Sequence, residues 1–246
     1  MNLILLAAGK SSRIFKRIRK NKCLIKINRI SLIRRIINNT KYSLIKNIII
    51  ITGFKPQNIK NELKDLKEIK FLNNNKYQTT DMVHSSVIGL EKSKFDTLIS
   101  YTDIFFTKKL FKIFYKKKYK HITIPYIKNW KYIWKKRNKN IFDDAETFII
   151  DSNANLKEIG NTINNNNLKN INGQFLGVLY IPKNYSKIII DKYKFYKNNK
   201  LQFTQFINKL IHDKVKIKCV EYKDFWYEFD DYEDFTNFKK LKFKIK

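Results

Sequence analysis

Apolar residues fall into short runs separated by lysine-rich polar stretches, and the period inside each run predicts its element. Leu3-Ile4-Leu5-Leu6 is continuous and stops at Ala7-Ala8-Gly9, as a buried strand cut off by small residues would be. Asn47–Thr52 (NIIIIT) is β-branched without polar alternation and ends at Gly53, which predicts a parallel strand covered on both faces. Ile69–Leu72, Thr97–Tyr101 and Ile122–Pro125 predict three more strands. Helical spacing lies between them. Ser31 is placed to cap a helix whose Leu32, Ile33, Ile36 and Ile37 share a face. Pro56 opens a second helix, with Ile59, Leu63 and Leu66 on one side. Thr79 or Thr80 is placed to cap a third, which carries Met82, Val83, Ser86, Val87 and Leu90, and Leu110–Tyr115 gives a fourth. Cys23–Ile27 alternates apolar residues with lysine and predicts a short extended piece.

The pattern changes after Pro125. Tyr126–Arg137 sets Trp130, Tyr132 and Trp134 among lysines. Asp143–Asp151 and Leu156–Ile159 predict antiparallel strands, and Gln174–Ile181 one strong strand. Phe203–Ile211 predicts an amphipathic helix, Val215–Val220 a strand, and Phe235–Phe238 the start of a last helix. Strands alternating with helices imply right-handed βαβ units. The expected fold class is α/β: a mixed, mainly parallel, Rossmann-like central sheet flanked by helices, with a small inserted antiparallel sheet. No linker or repeat divides residues 1–246, so one domain is expected, with an insertion at approximately 126–180.

Composition narrows the function classes. The 246 residues are 43% hydrophobic and 15% aromatic, as in a globular chain with a sizeable core. No apolar run approaches the roughly 20 residues of a membrane span, and the first run is too short for a signal-peptide core. A cytoplasmic location is expected. Cys23 and Cys219 stand apart from any CxxC spacing and are expected as reduced, buried thiols. The formal charge of +31 comes from lysines spread over the whole length. It therefore reads as chain-wide bias, with no dedicated nucleic-acid site, although the field favours a polyanionic substrate. The densest cluster, Lys116-Lys117-Lys118-Tyr119-Lys120, reads as a solvated helix end.

Candidate chemistry gathers at strand ends, where open α/β sheets bind ligands. Gly9 lets the backbone approach a ligand, and Lys10, Ser11, Ser12 and Arg13 follow as a donor-rich, positive turn suited to phosphates. Asp103 follows the strand ending at Tyr101, and Asp230-Asp231 follow Trp226–Phe229. Mg²⁺ takes one or two carboxylates and completes its shell with waters and phosphate oxygens. Asp103 with either Asp230 or Asp231 would suffice if the fold joins them. His84, His121 and His212 lack metal-ligand spacing, and no Walker A, GxSxG or HExxH sequence occurs.

LILLAAGKSSR resembles the signature loop of nucleotidyltransferases with a glycosyltransferase-A-like fold, L-A-A-G-x-G/S-x-R followed by Pro-Lys. Here Lys22 matches the lysine, while Asn21 stands where proline is usual. The resemblance continues through ITGF at 51–54, YQTTDMVHS at 77–85, ISYTDI at 99–104, DAE at 144–146 and WYEFDD at 226–231. It is most similar to bacterial phosphocholine and phosphonate cytidylyltransferases.

The resemblance implies a Mg²⁺-dependent enzyme that transfers CMP from CTP to a small phosphorylated or phosphonylated acceptor and releases pyrophosphate. Such activity would belong to cell-surface polysaccharide or phosphonate synthesis. Arg13 and Lys22 would be catalytic, neutralising phosphate charge. Leu6, Ala7, Ala8, Gly9, Lys10, Ser11, Ser12 and Arg13 would hold the nucleotide together with Thr80, Asp81, Ser85 and Thr102. Asp103 and Asp230 would hold Mg²⁺. Asp81 stands where asparagine is frequent, and a carboxylate accepts hydrogen bonds without donating one. For the acceptor, Tyr126, Trp130, Trp134, Arg137, Asp144 and Glu146 offer aromatic rings and charges. Rings with a carboxylate hold an ammonium group by cation–π and charge contacts, which suits phosphocholine, aminoethylphosphonate or a phosphorylated amino acid. Two other readings stand beside this one: a sugar-1-phosphate nucleotidyltransferase, and a non-catalytic basic protein binding nucleic acid or a membrane surface. A homo-oligomer is left open.

Overall fold

A strand covered on both faces buries successive leucines and isoleucines alike, and Asn2–Ala7 (β1) is such a strand. In the computed structural model, which describes residues 1–11, 20–41, 44–115, 119–137, 139–196 and 201–241, every residue of β1 is buried. Leu3, Leu5 and Ala7 join one apolar cluster, and Ile4, Leu6 and Ala8 join the cluster on the opposite face. The period-2 alternation of a strand thus splits one apolar run between two cores.

The other strands are β2 (Lys26–Ile27), β3 (Ile30–Ser31), β4 (Asn47–Thr52), β5 (Ile69–Asn73), β6 (Thr97–Tyr101) and β7 (Ile104–Phe106). They continue with β8 (Ile122–Ile127), β9 (Glu146–Ile150), β10 (Leu156–Thr162), β11 (Gln174–Phe175), β12 (Val178–Ile181), β13 (Ile217–Glu221) and β14 (Trp226–Glu228). The eight-stranded sheet has the order β11-β8-β12-β6-β1-β4-β5, with β13 also paired to β8. β1 is parallel to β4 and β6, β4 to β5, and β13 to β8, while β12 and β11 are antiparallel to their partners. Ala7 lies opposite Thr52, and Leu6 opposite Tyr101. Ala8-Gly9, Gly53 and Thr102-Asp103 therefore leave the sheet at one edge. β9 with β10, β7 with β14, and β2 with β3 form small antiparallel pairs outside the sheet.

Several expected elements differ in detail. Gln174–Ile181 is two strands, because Gly177 turns with φ +74 and β11 and β12 then pair with different neighbours. A side chain at Gly177 would also meet the Tyr101 ring at 2.8 Å. Asp143 and Asp144 lie in a helical turn, Ile141–Asp144, capped by the Asn140 side chain, so the strand begins only at Glu146. The expected extended piece Cys23–Ile27 starts as a 3-10 turn, Lys22–Leu24, before β2. Asp81, not Thr79 or Thr80, caps the helix Met82–Leu90. The 14-residue helix Lys183–Tyr196 has no counterpart in the expected elements.

Candidate active site

Three segments far apart in the chain meet at the strand edge beyond β1. β7 and β14 pair antiparallel with Ile104 opposite Glu228, and the Phe229 N–H donates to the Asp103 carbonyl at 2.9 Å. That pairing carries Asp103 and Asp230 to the same place. Lys22 enters from the turn after the signature loop, its backbone N–H held by Ser11 Oγ at 3.2 Å. Lys22 Nζ lies 3.2 Å from Asp103 Oδ2 and 3.2 Å from Asp230 Oδ1. The neighbouring Asp231 turns away. Its Oδ1 accepts from the Asp234 N–H at 3.0 Å as the cap of the helix Tyr232–Lys240, and its other oxygen pairs with Lys139.

A cleft of about 280 Å³ opens beside Lys22 and Asp103. Of the residues expected to hold nucleotide, Leu6, Ala7, Ala8, Gly9 and Ser11 line it on the loop side. Thr80, Asp81, Ser85 and Thr102 line it elsewhere. Lys10 is exposed and outside that lining; Ser12 and Arg13 lie outside the described residues, as do Lys116, Lys117 and Lys118 of the basic cluster. Thr102 Oγ1 donates to the Leu6 carbonyl at 2.7 Å and ties β6 to β1 at the cleft floor. A Cβ on Gly9 would meet nothing within 4 Å. Neither packing nor a left-handed backbone requires glycine there.

Asn74, which drew no attention in the sequence, and Asn21, marked there only as a departure from proline, complete the wall. Asn74 is buried, and its Nδ2 donates to Thr80 Oγ1 and Ser85 Oγ, each at 3.1 Å. It sits in an asparagine run that reads as an ordinary loop. Its position after β5, at the same edge as the others, was the available signal. Asn21 is buried, donates Nδ2 to the Phe54 carbonyl at 2.8 Å, and lines the cleft. Burial pushes the Asp81 carboxyl up to about 6, against the lowering effect of the Val83 N–H it accepts at 3.2 Å. Burial, and then the charges of Glu228, Glu146, Asp103 and Asp81, raise the Tyr101 phenol well above its ordinary value. Tyr101 meets Phe175 and Phe203 edge-on at 5.8 and 5.9 Å.

The expected acceptor residues separate. Trp130 and Trp134 are only 2% and 3% exposed and belong to the core, a correction to the aromatic cage expected of them. Trp134 stacks on Trp226 at 6.1 Å and meets Trp130 edge-on at 6.0 Å, so these faces are covered by protein. Tyr126 stacks on Phe148 and does not line the cleft. Arg137 is 0% exposed and is surrounded by carboxylates, so it is not a contact for the acceptor either. Asp144 is one of those carboxylates, 3.5 Å from Arg137 Nη1. Glu146 is partly buried; burial raises its carboxyl, while the Thr204 side chain hydrogen-bonds to it and lowers it.

Asp103 and Asp230 keep 25% and 16% of their side-chain surface exposed. Two hard oxygen ligands brought onto one cation fit Mg²⁺ held jointly with substrate phosphates. Among the described residues, no three His, Cys, Asp or Glu side chains gather as a closed metal cage. No helix among them is long and apolar enough to cross a membrane. Both cysteines are buried, and burial pushes their thiols well up.

A family model, the MobA-like NTP transferase domain, matches residues 3–126. CTP:phosphoglutamine cytidylyltransferase of Campylobacter jejuni is 28% identical, over 95% of this chain and 97% of that protein. The inositol-1-phosphate CTP transferase of T. maritima has a TM-score of 0.77 at 16% identity, covering 95% of this chain and 90% of that one. CTP:phosphocholine cytidylyltransferase of Streptococcus pneumoniae has a TM-score of 0.71 at 18% identity, covering 98% of each. At such identities the structural likeness is one of fold: a mainly parallel sheet flanked by helices, with small antiparallel additions.

Proposed function

The chain belongs to the MobA-like NTP transferase domain family, and we propose that within it this protein is a Mg²⁺-dependent cytidylyltransferase. It transfers CMP from CTP to a small phosphorylated or phosphonylated amine and releases pyrophosphate. The observation that carries this reading is Lys22 Nζ held 3.2 Å from both Asp103 and Asp230, beside a cleft built from the signature loop.

In this reading Gly9 and Ser11 place backbone N–H groups along the triphosphate, and Ser12 and Arg13 of the same motif bind it too. Thr80, Asp81 and Ser85 face the pyrimidine, and Asn74 fixes the hydroxyls of Thr80 and Ser85. An oxygen of the acceptor's phosphate or phosphonate bonds to the α-phosphorus as the bond to the β-phosphate oxygen breaks. The acceptor oxygen is already anionic, so no general base is needed. Lys22 and Arg13 offset the charge that grows on the leaving pyrophosphate, and the rigid sheet edge holds the reacting groups in line. Asp103 and Asp230 would hold the metal, which when bound supplies further charge neutralisation on the phosphates.

The acceptor side is assigned to the insertion at approximately 126–180. Glu146, partly buried at the start of β9, is the residue of this insertion proposed to meet an ammonium group. The Campylobacter relative's acceptor, phosphoglutamine, belongs to the same chemical class.

Pyrophosphate release measured across CTP, UTP, ATP, GTP and dTTP, with phosphocholine, aminoethylphosphonate, phosphoglutamine and glucose-1-phosphate, tests the reading. Release with CTP and a phosphorylated amine is the expected result. Release with a sugar phosphate and another nucleotide would instead make it a sugar-1-phosphate nucleotidyltransferase.

A further inference from the structure

Arg137 carries a full charge with none of its surface exposed. A buried cation persists only when it is paired and hydrogen-bonded, and Arg137 has four carboxylates around it. Nε donates to Asp234 Oδ1 at 2.9 Å, and Nη2 to Asp234 Oδ2 at 3.3 Å and Asp230 Oδ2 at 3.1 Å. Nη1 lies 3.5 Å from Glu228 Oε2 and 3.5 Å from Asp144 Oδ2. The guanidinium also covers the Trp134 ring, 5.1 Å from its centre. The planar fork spans several acceptors at fixed angles, which a lysine cannot do.

The two oxygens of Asp230 are thereby told apart. Oδ2 is held by Arg137, and Oδ1 faces Lys22. The Asp230 backbone is fixed as well, because its N–H donates to Asp234 Oδ2 at 2.8 Å, and Arg137 holds that same carboxylate. One buried guanidinium thus sets both the position and the rotamer of the carboxylate at the transfer site.

We propose that Arg137 is a positioning residue for metal binding: it locks Asp230 so that one oxygen is presented to the metal beside Asp103. The proposal rests on the reading of Asp103 and Asp230 as metal ligands. It gives Arg137 no contact with either substrate.

The test uses Arg137→Lys and Arg137→Gln in the full-length chain, with cooperative thermal melting as the check on folding. Mn²⁺ binding is followed by electron paramagnetic resonance with CTP present, alongside kcat and the acceptor KM. Partners that orient a metal ligand are worth about 10- to 100-fold in metal affinity or activity. Arg137→Lys keeps the charge and loses the fork, so Mn²⁺ affinity is expected to fall about tenfold or more, with acceptor KM within about threefold of the wild type. Unchanged Mn²⁺ affinity in a folded variant overturns the proposal. So does a large rise in acceptor KM alone, which would mark a substrate contact. If neither variant melts cooperatively, the residue is a structural tie and the proposal fails. Asp230→Ala in the same assay separates the two levels: wild-type Mn²⁺ affinity there defeats the metal-ligand reading itself.

Discussion

Gly9 shows how much one position can state. It lies two residues beyond the end of β1, and a methyl group in its place would touch no protein atom within 4 Å. The space in front of it belongs to the cleft, so a methyl group there would meet a ligand before it met protein. Gly9→Ala is expected to leave the melting temperature within about 2 °C, since no packing is lost and no strain added. The apparent KM for CTP should rise on the order of tenfold, equivalent to about 1.4 kcal/mol of lost binding. Steady-state kinetics and a melt on the same preparation check both halves. Lys22 is the complementary case. Its type and its place after the loop mark it in the sequence, but its two carboxylate partners are 81 and 208 positions away; the pairing of β1 with β6 brings Asp103 beside the loop, and that of β7 with β14 brings Asp230 to Asp103.

At the scale of elements, the strands with continuous β-branched or leucine runs were readable almost to the residue. β4 and β6 coincide with NIIIIT and TLISY, because both faces of a central strand need apolar side chains. What the sequence hid was set by tertiary context. The helix Lys183–Tyr196 contains Ile188-Ile189-Ile190, a β-branched run with poor helix propensity, and only Ser186 and Ile189 are buried along it. The aromatic run after Pro125 looks like a binding surface but supplies core, since Trp134 packs against Trp226 from the far end of the chain. Sequence order gives no clue to that pairing.

The helix Met82–Leu90 carries one pH-dependent cap. Its cap, Asp81, is half-buried, and burial raises the carboxyl from 3.8 to about 6. A raised carboxyl favours the protonated form in the fold, so its contribution is present below about pH 4 and is lost as pH rises through about 6. Asparagine caps a helix as well as aspartate does and carries no charge. Asp81→Asn should therefore match the wild type near pH 4 and exceed it above pH 6.5. After discounting for solvent exposure, the gap is about 1 kcal/mol. Chemical denaturation at pH 4, 6 and 8 measures it, and a gap that shrinks with rising pH would contradict the assignment.

For the whole molecule, the formal charge of +31 frames a local reversal. Asp103, Asp144, Glu228, Asp230 and Asp234 crowd around Lys22 and Arg137. A broad positive field favours a polyanionic ligand, while inside it the acidic cluster is neutralised by Lys22 and the buried Arg137. Carboxylates from distant segments converge on one lysine beside a nucleotide-sized cleft. That convergence is the claim on which the rest depends. The direct measurement is phosphorus NMR of CTP turnover with a phosphorylated amine, comparing wild type with Lys22→Ala. The account predicts a CMP-linked product and pyrophosphate from the wild type. In the variant it predicts turnover lower by about 10²-fold, the cost of one strong transition-state donor. Equal turnover in the two proteins would contradict it.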